Sequence, residues 1–365
     1  MFLTFNPGPS QISQATIKDI GEAIDRSILS ISHRSEQFKD IFRLAVENLR
    51  RYLCISESYK ILFVSSATEA MEIVLRNCAG RSSFHFVNGA FSERFYKIAE
   101  MIGKDPVKLV AEYGKGFDLS EVNIPDQCDL ICITHNETST GYRWDYQEIQ
   151  EVRSKYPGKI ISVDIVSSAL SEPLPVEEAD IWFFSVQKVC GLPAGLGVII
   201  LNEKVISKSR ELVERGSDIG SFHSLPVLYE KAEKYQTFET PNILNIFLFY
   251  KAMGRLCKIG IDEIEKKTGE KAHIIYSWLE AHEHLRPFIE DPEHRSLTVV
   301  TVFLPEWIKC GVLAEKLGEM NIVIGRGYGD FSDSQFRIAN FIAHSRKDVM
   351  VLIKSVDEVL ERIGK

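Results

Sequence analysis

Residues 179–197 read ADIWFFSVQKVCGLPAGLG, and the apolar run at their start decides the fold. Ile181, Trp182, Phe183, Phe184 and Val186 form a short run without the alternation of a half-exposed strand, which predicts a strand buried on both faces. The run ends at Lys188, with small and apolar residues crowded behind it. An ammonium taken out of water must pair, shift its pKa or be used chemically.

Outward from that strand, runs of the same kind alternate with helical periods. KILFV (60–64), SSFHFV (82–87), PVKLV (106–110), DLICIT (129–134), KIISVDIV (159–166) and GVIIL (197–201) read as strands. Residues 36–53 place Phe38, Ile41, Phe42, Ala45, Leu49, Tyr52 and Leu53 at helical spacing, and 68–79 and 91–102 are helical again. This order predicts an α/β fold with a mostly parallel central sheet. After about residue 245 the pattern changes to long helical stretches with fewer strands (297–304, 322–325, 335–340) and a closing helix over 346–363. A smaller α+β C-terminal domain is expected there. The expected organisation is an N-terminal segment over 1–15, a large domain over 16–245 and a small domain over 246–365.

The chain has 365 residues, 45% of them apolar and 26% charged, as ordinary globular proteins do. A net charge of -8 and the lack of a Lys/Arg run with interleaved aromatics argue against a nucleic-acid partner. The start, MFLTFNPGPSQ, has no charged region followed by an apolar stretch, so no signal peptide is expected. No apolar run approaches the roughly 18 residues of a membrane span, so no membrane partner is expected and a cytoplasmic location is. Seven scattered cysteines fit reduced thiols. The spacing of Cys128 and Cys132 predicts that both lie on one face of a strand as core residues rather than metal ligands. His282 and His284 are expected on a solvated face, and no metal site is expected.

Ligands of open α/β sheets sit outside the carboxyl ends of the strands. Strand 60–64 runs into SSATEAM, where the amides of Ala67 and Thr68 at a helix start can seat an anion; Ser66 and Glu69 equally have the spacing of a capping box. Asp164 lies at another strand end, and NETSTG (136–141) is a polar cluster after a third, which alone reads as a loop. An anion seat, a carboxylate and a lysine at neighbouring strand ends are the parts that hold pyridoxal 5'-phosphate: the lysine bonds its aldehyde, and the carboxylate keeps its ring nitrogen protonated.

The order FNPGPSQI, SILSISHRSEQF, KILFVSSATEAM, NETSTG, VDIVSSAL, SVQKVCGLPAGLG, ETPNILNIF and FRIAN resembles the class V aminotransferases of the fold-type I pyridoxal phosphate enzymes, their phosphoserine branch above all. The resemblance implies the PLP-dependent transferase fold and a homodimer with shared active sites, acting on small amino acids and 2-oxo acids. It implies Lys188 as the cofactor-bonding and catalytic lysine and Asp164 as the partner of the ring nitrogen. Thr138 would meet the ring hydroxyl and Phe91 would stack on the ring. Ala67 and Thr68 would seat the phosphate, with Ser167 and Gln187 lining the same pocket and Thr240 reaching it from the partner subunit. Arg337 would hold the α-carboxylate, and His33 with Arg34 would approach a distal anion across the dimer interface. The branch carries arginine where this chain has Glu69 and asparagine where it has Glu239, so a small non-phosphorylated pair of the alanine–glyoxylate or serine–pyruvate type is the alternative.

Overall fold

The computed structural model describes residues 2–363. The chain begins with a short strand, β1 (Leu3–Phe5), and helices α1 (Gln14–Asp25) and α2 (Glu36–Tyr52). The central sheet and its crossovers follow as β2 (Tyr59–Val64), α3 (Ala67–Cys78), β3 (Ser82–Val87), α4 (Ala90–Met101), β4 (Val107–Val110) and β5 (Cys128–Thr134). Next come the hairpin β6 (Asn136–Glu137) and β7 (Tyr142–Arg143), α5 (Tyr146–Lys155), β8 (Ile160–Asp164), β9 (Ile181–Ser185) and β10 (Gly197–Asn202).

The seven-stranded sheet runs β2-β10-β9-β8-β5-β3-β4. Strands β4, β3, β5, β8 and β9 pair in parallel, whereas β10 is antiparallel to both β9 and β2. Two reversals leave β2 pointing the same way as β9. Val64, Thr134, Asp164 and Ser185 therefore end on one edge of the sheet. The sheet is buried on both faces, because α2 and α8 (Ile243–Ile259) cover one core and α3, α4 and α6 (Glu203–Glu214) the other. The expected face of α2 is buried throughout.

Two expectations are corrected. Cys128 belongs to one core and Cys132 to the other, on opposite faces of the sheet. The register of β3 against β5 slips at Ser82/Ser83, so Asp129 is an extra residue that flips everything before it. His282 is not solvated: its Nδ1 accepts the amides of His284 and Leu285 at 3.0 Å, closing the chain after a helix.

That helix is α9 (Ile261–Ala281), preceded by α7 (Leu225–Ala232) and α8. The smaller sheet, β1-β13-β14-β12-β11, is built from β11 (Arg286–Pro287), β12 (Val299–Phe303), β13 (Ile322–Arg326) and β14 (Gln335–Ala339), with α10 (Cys310–Glu319) and α11 (Arg346–Ile363) packed on it. Only the β1–β13 pair is parallel. Among the described residues no helix is long and apolar enough to cross a membrane.

Candidate active site

Lys188 lies three residues beyond the end of β9 and is buried, 7% exposed. Its Nζ donates to Thr138 Oγ1 at 2.8 Å and Ser167 Oγ at 3.1 Å, and those two hydroxyls share a 2.5 Å hydrogen bond. Burial lowers the Lys188 ammonium to about 8, against a smaller opposing pull from Asp164. Asp164, the last residue of β8, is pushed up to about 7 by burial, while its Oδ1 accepts the Val166 amide at 2.8 Å. A carboxylate and an amine thus share a dry strand edge, each drawn toward its neutral form by desolvation and toward its charged form by the other.

The N-terminal segment holds the lysine from behind. Ser10 donates its amide to Gln187 O at 3.0 Å and its hydroxyl to Lys188 O at 2.8 Å. Gly8, at φ +146°, packs so closely that a Cβ there would sit 3.0 Å from Lys188 Cε.

The start of α3 is half of what its spacing promised. Ser66 caps it by accepting the Glu69 amide, but the Glu69 carboxylate takes Ser65 and faces His223 Nε2 at 3.1 Å instead of reaching back to Ser66. The Ala67 amide is occupied by Ser185 Oγ at 2.6 Å. Thr68 is an exposed residue whose amide has no partner among the described residues, and so remains available to an anion.

Helix α4 presents Phe91, over whose ring Lys188 Nζ lies 4.7 Å from the centroid. This helix begins at Gly89, which has no side chain to cap it. The buried Glu137 does so from β6: its oxygens accept the amides of Phe91, Ser92 and Ser139 and the hydroxyls of Ser92 and Ser139 at 2.6–3.2 Å. A Cβ on Gly89 would fall 2.3 Å from Glu137 Cγ, so only glycine admits the carboxylate. NETSTG is accordingly a two-residue strand, Asn136–Glu137, followed by the turn of a hairpin over 138–141, and its Glu137 carboxylate is structural.

Arg337, from β14, donates Nη1 to Thr138 O at 3.0 Å and Nε to Arg326 O at 2.8 Å, and burial lowers its pKa. Arg94, which periodicity hid in a helix, lines the cleft, and its Nη2 donates at 3.2 Å to the hydroxyl of Tyr328, which packs against Phe91. His33, Arg34 and Thr240 do not line this cleft within one chain.

The residues fit pyridoxal phosphate. Thr134 Oγ1 and both polar atoms of Asn136 are buried without a hydrogen-bond partner and line the cavity that Asp164 and Lys188 share, so a polar ligand is needed to satisfy them. Thr138, Phe91 and the free Thr68 amide border the same space.

The family described as Aminotransferase class-V matches residues 2–330. A phosphoserine aminotransferase of Rhodococcus opacus is 28% identical over 99% of this chain and 95% of its own. The crystal structure of a phosphoserine aminotransferase from Cytophaga hutchinsonii superposes with a TM-score of 0.95 at 39% identity, covering 98% of each chain. An alanine–glyoxylate aminotransferase from Nostoc sp. shares the fold at 21% identity, TM-score 0.85, over 98% of this chain and 95% of that one.

Proposed function

The chain belongs to the class V aminotransferases, pyridoxal phosphate enzymes, and from that membership we propose that it exchanges an amino group between glutamate and 3-phosphohydroxypyruvate, yielding phosphoserine and 2-oxoglutarate. The observation that carries the transamination chemistry is the buried Lys188, held by Thr138 and Ser167 beside Asp164. The phosphoserine assignment is supported by the 39% identical Cytophaga protein of that name, matched over 98% of both chains.

When bound, pyridoxal phosphate supplies an aldehyde to capture the substrate amine and a ring that delocalises the electrons left when a Cα proton departs. Lys188 is the residue that would hold that aldehyde covalently. The Lys188 amine, which burial lowers to about 8, would be the base that takes the substrate Cα proton and returns it two atoms along, to the carbon beyond the nitrogen. Asp164 would hydrogen-bond the ring nitrogen and hold its proton. Thr138 orients the ring hydroxyl, and Phe91 covers one ring face. The Thr68 amide takes the phosphate, with Ala67, Ser167 and Gln187 shaping the pocket and Thr240 entering from the partner subunit of a homodimer. Arg337 turns its guanidinium to the α-carboxylate shared by all substrates. His33 and Arg34 of the partner subunit meet the distal anion.

A second reading, a small non-phosphorylated amino donor, is favoured by Glu69, a carboxylate at the position where the phosphoserine branch carries an arginine. Challenging the loaded enzyme with single amino acids separates the two. Phosphoserine should convert the bound cofactor to pyridoxamine phosphate faster than alanine or serine does, read by visible absorbance. Equal or greater reactivity with alanine establishes the second reading. Borohydride reduction and peptide mapping should place a pyridoxyl mass on the Lys188 peptide; finding it on Lys204 would overturn the site.

A further inference from the structure

Arg94 lines the cleft and Arg337 borders it at Thr138, and neither guanidinium has a carboxylate within ion-pair distance among the described residues. Arg337 spends its donors on the carbonyls of Thr138 and Arg326. Arg94 has one hydroxyl, that of Tyr328, and the ring of Phe91, 4.9 Å from Cζ to centroid. Both arginines meet the same tyrosine: Arg94 at its hydroxyl, and Arg337 over its ring, 5.6 Å from Cζ to centroid. Tyr328 in turn packs on Phe91, with centroids 5.6 Å apart. The fields of Arg94 and Arg337 both reach Lys188.

Half-buried cations normally pair, because desolvation without a partner is costly. The nearby anions are engaged elsewhere. Glu137 is saturated by three amides and two hydroxyls, and Asp164 faces Lys188. The cleft therefore carries two positive groups, set at different points of one aromatic spacer, that await two anionic groups.

We propose that Arg94 is a specificity-determining residue: with Tyr328 it receives the second, distal anionic group of a dianionic amino acid while Arg337 holds the first. The proposal rests on the transamination reading but not on a phosphorylated substrate, since a dicarboxylic amino acid presents the same two charges. It makes the distal anion site partly the chain's own.

Glutarate and butyrate, which lack an amine and cannot react, test it by calorimetric titration into the cofactor-loaded enzyme. The unaltered enzyme should prefer glutarate by roughly ten- to a hundredfold, the value of one charge-assisted contact. Arg94→Gln should abolish that preference while leaving butyrate affinity and cofactor absorbance unchanged, and Arg94→Lys should keep part of it. Arg337→Gln should weaken both ligands. A glutarate preference that survives Arg94→Gln overturns the proposal. So does parallel loss of cofactor affinity in both Arg94 variants, which would assign the arginine to the cofactor phosphate. If alanine outpaces phosphoserine while the glutarate preference still depends on Arg94, the phosphoserine reading alone fails.

Discussion

Glu137 has no exposed surface, yet it is surrounded by donors. Its removal would strand the amides of Phe91, Ser92 and Ser139, and each buried donor left unpaired costs about 1–3 kcal/mol. Glu137→Ala should lower the denaturation midpoint strongly, and Glu137→Gln less, because one amide oxygen can still accept. The same change loosens Phe91, so the cofactor's circular dichroism should weaken in Glu137→Gln even where the protein stays folded. An unchanged cofactor signal would show that Phe91 is fixed by other contacts. Little of this is legible in NETSTG itself, which supplies only the Ser139 donors; the others come from a helix start 45 and 46 residues upstream. Lys188 could be found from sequence because a lysine after a buried strand violates the local pattern. Arg94 could not, because a helix arginine violates nothing.

Whole elements carry similar accounts. Helix α9 crosses from the large core, where Ile264 packs, to the small core of Ala272, Ile275 and Leu279. Between them sits the buried Lys271, whose Nζ donates to Phe341 O at 2.9 Å and His344 O at 3.0 Å, tying the helix to the turn after β14. Burial lowers this lysine to about 8 from 10.5. Between those values the unfolded chain binds the proton and the folded chain does not, so stability rises with pH across that window. Relative to Lys271→Met, the unaltered protein should gain about 3 kcal/mol from pH 8 to 10.5, at 1.36 per pKa unit. A difference that does not vary with pH in denaturant titrations would mean that the proton is retained in the fold. The period of apolar residues makes α9 legible in sequence, but the Asp129 bulge is not, since one extra residue leaves no mark on composition and reverses the face of Cys128 alone.

At the scale of the molecule, Lys188 and Asp164 line the cleft of one chain and Arg337 is tied to its edge at Thr138, whereas Arg34 and Thr240 do not line it. The proposed homodimer would supply the latter two from the partner subunit. Lys188→Ala and Arg34→Ala dimers should each be impaired, whereas heterodimers of the two regain activity, because one of their sites has both residues intact. No recovery in heterodimers verified by mass would assign Arg34 to its own chain. The overall architecture was largely readable, because buried strands and amphipathic helices follow local periods, while the joining of the two sheets depends on contacts far apart in the chain. Strand β1 pairs with β13, Leu3 against Ile322, and seven residues later Ser10 fastens the backbone of Gln187 and Lys188. During synthesis residues 3–5 therefore wait for residues 322–324, and the support of the segment that backs the lysine is completed only when residues near 322 have emerged and folded. A stalled nascent chain ending before that strand should possess its central sheet and still be unable to clasp the cofactor firmly.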